Sequence, residues 1–403
     1  MSSDPHVLRL ASFRHFLSSR ALSSIAFQGS SVAIGWLVYD QTRNPLDLGL
    51  IGLVQFTPML VLTFVAGQVA DQFDRRAIGL ICQVIEAVAM LVIALGVWQG
   101  WLEIWGVFVA VAFLGAAQAF ERPTMAALLP SIVPSKQLQS AVATSTSVMQ
   151  TAMIIGPAMG GLLYGLGSVV PFLFSAVCFA IASFNVIAIT RPEVRLKRSP
   201  VTLETVFAGL VFIRSRPLML GAISLDLFAV LLGGATAMLP VYARDILFAG
   251  PWALGLLRTA PAVGAVAMSL YLARFPLKRH VGVTMLWAVA VFGVATIVFA
   301  LSTNIALSVT MLVLLGASDT ISVVIRSSLV QLLTPDEMRG RVNAVNSLFI
   351  GASNQLGEFR AGVFAGFMGP VAAVAIGGVG TLAIVAAWQR LFPALRKVET
   401  LSG

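Results

Sequence analysis

The sequence predicts an all-α integral membrane protein with twelve transmembrane helices in two pseudo-symmetric six-helix bundles. Three observations carry that expectation. Hydrophobic residues make up 58% of the 403 positions and charged residues only 11%, a balance that puts most of the chain in lipid rather than water. The chain breaks into twelve apolar runs near the roughly 20 residues needed to cross about 30 Å of hydrocarbon. Finally, the halves repeat: a shift of 203 positions aligns Tyr39 with Tyr242, Gly52 with Gly255, Pro58 with Pro261, Arg76 with Arg279 and Gly79 with Gly282. Two membrane halves built alike, with a site between them, are the architecture of a transporter that alternates access.

In the first half the spans are expected near 16–38, 48–69, 77–99, 104–128, 138–163 and 169–190. The second half follows with 217–243, 252–273, 282–301, 305–330, 340–366 and 371–391. The domains are then 1–190, a linker at 191–216 and 217–403. Within the linker, Val206, Leu210 and Ile213 recur at helical spacing, which suggests a short amphipathic helix on the membrane surface.

The net charge of +9 reports topology rather than a nucleic-acid partner. Basic residues such as Arg75, Arg76, Arg191, Lys197, Lys278, Arg279, Arg339 and Arg341 flank one face, while Arg43 and Arg244 lie in loops on the other. The positive-inside rule therefore puts both termini in the cytoplasm. Cys82 and Cys178 fall inside spans and His6, His15 and His280 are scattered, so neither a disulfide framework nor a metal site is expected. No catalytic constellation or nucleotide loop is present to suggest an enzyme.

Two motifs bear on mechanism. The loop after the second span carries Gly67, Asp71, Asp74, Arg75 and Arg76. Asp71 would accept hydrogen bonds at a neighbouring helix N-terminus, and the arginines would pair with carboxylates on other helices, contacts that a conformational change could break. This is a candidate latch. Its copy at Leu272–Arg279 keeps the basic residues but has Arg274 where Asp71 stands, so the latch is expected to be strong in the first half and weak in the second. In the fifth span, Gly156, Pro157, Gly160 and Gly161 allow close helix approach and a bend. The second half has Gly357 and Gly362 at an offset of 201, with Glu358 replacing the proline.

On these motifs the chain resembles a major facilitator superfamily transporter over essentially its whole length, with Asp74 where many members have a second glycine. The run of Phe73, Asp74 and two arginines is similar to the drug and siderophore exporters of that superfamily, the branch of the macrolide and enterobactin exporters. The resemblance implies the major facilitator fold, in which the first and fourth helices of each half line a central cavity. It also implies a multi-pass protein of the bacterial cytoplasmic membrane, monomeric, moving a small molecule without a cofactor.

Ionisable residues inside expected spans include Glu86, Glu121, Arg122, Asp226, Arg258, Asp319, Arg326, Glu358 and Arg360. Each costs about 2.5–3.5 kcal/mol at mid-helix, so function is the default reading. Asp226 and Glu358, then Glu121 and Asp319, are the candidates for proton coupling, since desolvation favours the protonated form of a buried carboxyl. A static ion pair is the competing role. Gln28, Arg122, Arg258, Arg326, Asn354 and Gln355 are the substrate-cavity candidates, although Arg122 and Arg326, matched at an offset of 204, could instead snorkel to the interface. Glu86, on an outer helix in the resembled fold, is set aside as structural. The expected function is proton-coupled efflux of amphipathic organic molecules of drug or siderophore type, driven by the proton gradient; an importer or lysophospholipid flippase on the same fold is the alternative.

Overall fold

The computed structural model describes residues 7–190, 203–277 and 279–400. Inside helices, the side chains of residues 63, 64, 67, 68, 70, 71, 203–206 and 336 lie outside that description. The carboxylate of Asp71, the segment 191–202 of the expected linker, and Lys278 are therefore outside the described residues.

The helices run in order as α1 Ala11–Thr42, α2 Pro45–Gln72, α3 Arg75–Gln99, α4 Ile104–Ile132, α5 Leu138–Leu166, α6 Val170–Ala188, α7 Leu203–Arg214 and α8 Pro217–Gly233. After a 3-10 turn at Thr236–Met238 come α9 Leu239–Val241 and a π turn at Tyr242–Ile246. The rest are α10 Pro251–Arg274, α11 Val281–Leu301, α12 Ile305–Leu333, α13 Asp336–Met368, α14 Pro370–Leu391 and α15 Pro393–Arg396. Among the described residues there is no strand, as lipid requires of a chain that satisfies its backbone within each segment.

By length and composition, 11 segments could cross a membrane, counting Pro217–Ile246 as one. The remaining expected span, 340–366, is the helix α13, which is long enough but carries Asn343, Asn346, Asn354, Gln355, Glu358 and Arg360. Its polarity suits a helix that faces protein or water rather than lipid. Trp98, Trp101 and Trp105, all exposed, gather at the turn from α3 to α4, the amphipathic signature of a membrane interface.

The chain divides into two compact units. Unit 1 is Met1–Gln41 with Val54–Pro200, and unit 2 is Thr42–Leu53 with Val201–Gly403. In unit 1, α3 packs on α4 and α6, and Phe13, Phe16, Met125, Leu128, Val186 and Ile189 form a buried apolar cluster. In unit 2, α11 packs on α12 and α14, and α10 on α12; Leu225, Met285, Val289, Ile325, Leu329 and Trp388 belong to its main cluster. The helix α7 packs on α13, with Ile213 buried among Met219, Val330, Val342 and Val345. Of the expected apolar face Ile213 is covered by protein and Leu210 is exposed, as are Phe207 and Val211 on the same helix.

Helix ends follow local chemistry. Gly100 closes α3 in the left-handed region, φ 75°, where glycine has no Cβ to clash. Asn304 caps α12 by accepting from the amides of Ala306 and Leu307, two of the donors a helix start leaves unpaired.

The expected continuous span 217–243 is instead interrupted after Gly233. Gly234 leaves helical geometry at φ −42°, ψ 59°, and Pro240 lies in the short segment beyond. Two adjacent glycines weaken the helix. The freed carbonyls of Leu231 and Leu232 are taken by Arg360 of α13 through Nε, at 3.1 Å from Leu231, and through a second guanidinium nitrogen to Leu232. An arginine on a helix C-terminus satisfies both the acceptors and the dipole there.

In unit 1, α1 and α5 meet backbone to backbone. A Cβ on Gly160 would collide with the carbonyl oxygen of Gly29, and one on Gly156 would lie 2.5 Å from Gln28 Cβ. Unit 2 repeats the device between α8 and α13, where a Cβ on Gly357 would come within 2.9 Å of the Val230 carbonyl. The helix α5 runs unbroken through Pro157. Gly160→Ala is expected to destabilise the protein by about 1–3 kcal/mol through overpacking, read as a lower Tm in detergent. Gly165→Ala, with nothing within 4 Å of the added carbon, is expected to leave Tm unchanged.

Candidate functional site

The buried charges divide between the units, and each unit solves the cost differently. In unit 2, Asp226 of α8 and Arg326 of α12 form an ion pair at 3.1 Å, with side-chain exposures of 8% and 4%. Arg326 also donates to Asn346 Oδ1 of α13 at 3.2 Å. Removed from water, such a pair holds only when hydrogen bonds satisfy the remaining donors, and Arg326 Nε still lacks an acceptor. Beside it lies a cavity of about 10 Å³ lined by Asp226, Val289, Phe292, Ser318, Asp319 and Ser322, among others. It has room for about one water molecule. Two of the sequence's four coupling candidates, Asp226 and Asp319, thus share one small space with a guanidinium at its edge.

Glu358, half-buried on α13, accepts from Thr236 Oγ1 at 3.1 Å. Thr236 sits in the turn just past the α8 break, so Glu358 and Arg360 both meet the interrupted segment from α13. Gln355 is half-buried one turn before Glu358, and Asn354 is exposed, its amide donating to the Ile350 carbonyl at 2.9 Å. Arg258 is half-buried on α10.

In unit 1, Glu121 of α4 is buried and accepts from Gln83 Nε2 and Gln118 Nε2, both at 3.0 Å. Arg122, exposed on the same helix, donates from Nε to Gln118 Oε1 at 3.0 Å. Gln28 of α1 is half-buried against Gly156. The matched arginines therefore part ways: Arg326 is an ion-paired core residue, whereas Arg122 holds an amide at an accessible surface.

In the loop after α2, Gly67 lies in the last turns of α2 and Asp74 caps α3, accepting from the amide of Arg76 at 2.9 Å. Arg75 donates to the carbonyl of Ala127 at 3.0 Å and Arg76 to that of Ile187 at 3.1 Å. Both carbonyls lie near the C-terminal ends of their helices, α4 and α6, where a cation offsets the dipole. The sequence expected carboxylate partners; these carbonyls are partners it missed. Gln83, Gln118, Asn346 and the capping role of Arg360 were missed as well. A detectable signal existed in unit 1, since Gln83 and Glu86, and likewise Gln118 and Glu121, are polar pairs three residues apart on otherwise apolar helices.

A family model described as transmembrane secretion effector matches residues 4–402. The chain belongs to that family. It is a branch of the major facilitator superfamily, and the protein is a multi-pass membrane transporter rather than an enzyme. Curated relatives of this secretion-effector chain include the multidrug efflux pump Tap of Mycobacterium tuberculosis, 26% identical over 350 residues that cover 83% of this chain and 82% of the relative. The enterobactin exporter of Citrobacter koseri is 23% identical, covering 96% and 92%. Among solved structures, a bacterial homologue of the iron transporter ferroportin in an inward-facing state superposes with a TM-score of 0.71 at 19% identity, covering 97% of this chain and 100% of that one. The nucleoside transporter NupG gives 0.72 at 13%, covering 94% and 99%. At these identities the structural likeness establishes the major facilitator fold.

Asp226→Asn leaves Arg326 buried without its counter-charge and is expected to cost about 3–5 kcal/mol of stability. Asp226→Asn combined with Arg326→Met removes both charges and is expected to recover most of that loss. Thermal unfolding of the two variants beside the parent checks the pair directly.

Proposed function

We propose that this transporter is a proton-coupled exporter of small amphipathic organic molecules, of drug or siderophore type. It works by alternating access in the bacterial cytoplasmic membrane, as a monomer with both termini cytoplasmic. The proton gradient supplies the energy and no cofactor takes part. The observation that carries the reading is the buried Asp226–Arg326 pair at the edge of a cavity that also holds Asp319.

Ionised, Asp226 would attract a basic group of the cargo, and a proton arriving on Asp226 would cancel that attraction, leave Arg326 without its counter-charge and release the cargo. One carboxylate thus binds either the proton or the cargo, which is what exchange of proton for substrate requires. Asp319, across the same cavity, is the next stop for the proton, and Glu358 beside the α8 break is a second candidate for coupling. The export direction is supported by the names of the curated relatives, a multidrug efflux pump and an enterobactin exporter. The orientation is supported by the basic residues Arg75 and Arg76 at the end of α2–α3 opposite the exposed tryptophans of the α3–α4 turn, by the positive-inside rule. Asp71, Asp74, Arg75 and Arg76 act as the latch that releases between states, with Arg75 and Arg76 letting go of the helix-end carbonyls of Ala127 and Ile187.

For an uncharged cargo exchanged for one proton, 100 mV provides about 2.3 kcal/mol, an accumulation of about 40-fold. Proteoliposomes with an imposed pH gradient and membrane potential are expected to show such accumulation for amphipathic dyes that carry a basic group and no net charge. In Asp226→Asn/Arg326→Met, accumulation is expected to fall toward unity. Full proton-driven accumulation by that variant overturns the assignment, and accumulation in the importing direction overturns export.

A further inference from the structure

A fully buried polar group lies in unit 1 and has no part in the exchange just described. Ser19 of α1, Gln83 and Glu86 of α3, and Gln118 and Glu121 of α4 are all buried, with Gln83 and Glu86 at 0% exposure. Gln83 Nε2 donates to Ser19 Oγ at 2.8 Å and to Glu121 Oε1 at 3.0 Å. Gln118 Nε2 donates to Glu86 Oε1 at 2.6 Å and to Glu121 Oε2 at 3.0 Å. Both oxygens of Glu121 therefore have an amide donor, as an ionised carboxylate wants. Glu86 does not: its Oε2 has no donor, and neither has the amide oxygen of Gln83.

These two orphans are acceptors on one face of α3, three residues apart. The Gln83 oxygen belongs to the same small planar amide whose nitrogen bonds Glu121 and Ser19, so it too lies within the cluster. Two buried acceptors without a donor are unfavourable, and one hydrogen added to Glu86 Oε2 would satisfy both in an O–H···O bond. A metal cation would need several more free oxygens than two, whereas a proton needs only these.

The charged and titratable groups facing the cluster from its neighbours are few. Arg122 of α4 donates to Gln118 Oε1, not to a carboxylate. Arg20 of α1 reaches Met149 Sδ at 2.7 Å. Cys82 adjoins Gln83 on α3, and α5 and α6 carry no charged residue. Among the described residues no ion pair joins either arginine to Glu86 or Glu121.

The internal repeat supplies an independent argument. The position matching Glu86 at the 203 offset is Val289, and the one matching Gln118 at the 204 offset is Ser322. Both line the cavity of Asp226 and Asp319 in unit 2. The same place in each repeat therefore holds buried carboxyl chemistry.

We propose that Glu86 is a proton-binding site of unit 1, holding a proton on Oε2 that it donates to the carbonyl of Gln83, and that this site is separate from the Asp226–Arg326 pair. Infrared difference spectroscopy of the purified full chain in lipid, with pH stepped upward, tests it. The parent is expected to lose a protonated-carboxyl C=O band on alkalinisation. Glu86→Gln, which supplies an N–H to Gln83 in place of the O–H, is expected to fold and to lack that band, while Asp226→Asn/Arg326→Met keeps it. Gln83→Leu is expected to retain the band but shift it to the higher frequency of an unbonded carboxyl, which keeps the proposal testable if Glu86→Gln does not fold. A band unchanged in Glu86→Gln, or unmoved in Gln83→Leu, overturns it. The spectrum reads Glu86 whether or not flux follows the pH gradient, so its failure and that of proton-coupled export are distinguishable.

Discussion

The cost of leaving a polar group unsatisfied in hydrocarbon governs this structure more than any other force. Where water is absent, a backbone carbonyl without a donor costs several kcal/mol, and an unpartnered charge costs more. The break in α8 shows the rule at work on the backbone. Gly233 and Gly234 end the helix inside the span, and Arg360 from α13 takes the carbonyls of Leu231 and Leu232 that the break releases. Arg360 thus serves the same interrupted segment that Glu358 reaches through Thr236. A discontinuous helix with its exposed terminus met by charged side chains is the arrangement by which membrane transporters build polar ground at mid-membrane.

Close helix approach follows from the same constraint. Lipid gives helices no hydrophobic reason to associate, so packing contacts must be short to count. Gly29, Gly156 and Gly160 let α1 and α5 touch at their backbones, and Gly357 does the same for α13 against α8. Because Gly357 is the repeat copy of Gly156, the duplication preserved the contact while the neighbouring proline became Glu358. What was kept is the geometry; what diverged is the chemistry placed beside it.

Fold and repeat were legible in the sequence because apolar runs and a fixed offset are properties of many residues at once. The helix break was not, since Gly233–Gly234 reads as ordinary small-residue packing until its carbonyls are seen to be held by Arg360. The resemblance put Glu86 on an outer helix and so below Asp226, Asp319 and Glu358, because a helix's place in a family fold does not show what its neighbour presents. Gln83 and Gln118 carry no charge and so raised no flag, yet they are the groups that make a site of Glu86 and Glu121. The basic pair Arg75 and Arg76 was visible, but backbone carbonyls of Ala127 and Ile187 have no sequence signature as partners.

Arg122 and Arg326 are fixed points in the repeat, and what surrounds each explains how the halves parted. At the offset of 203, Asp226 corresponds to Ser23, while Glu86 corresponds to Val289; at 204, Glu121 corresponds to Ile325. Each half thus kept its arginine and placed its carboxylates at different positions. In unit 2 the acid comes from α8, directly opposite the guanidinium, and the two neutralise each other at 3.1 Å. In unit 1 the acids come from α3 and α4, and the guanidinium of Arg122 is separated from them by the amide of Gln118. Two halves of one ancestral design have therefore arrived at two compensations for buried charge: a guanidinium in unit 2, and an amide frame with an open acceptor in unit 1.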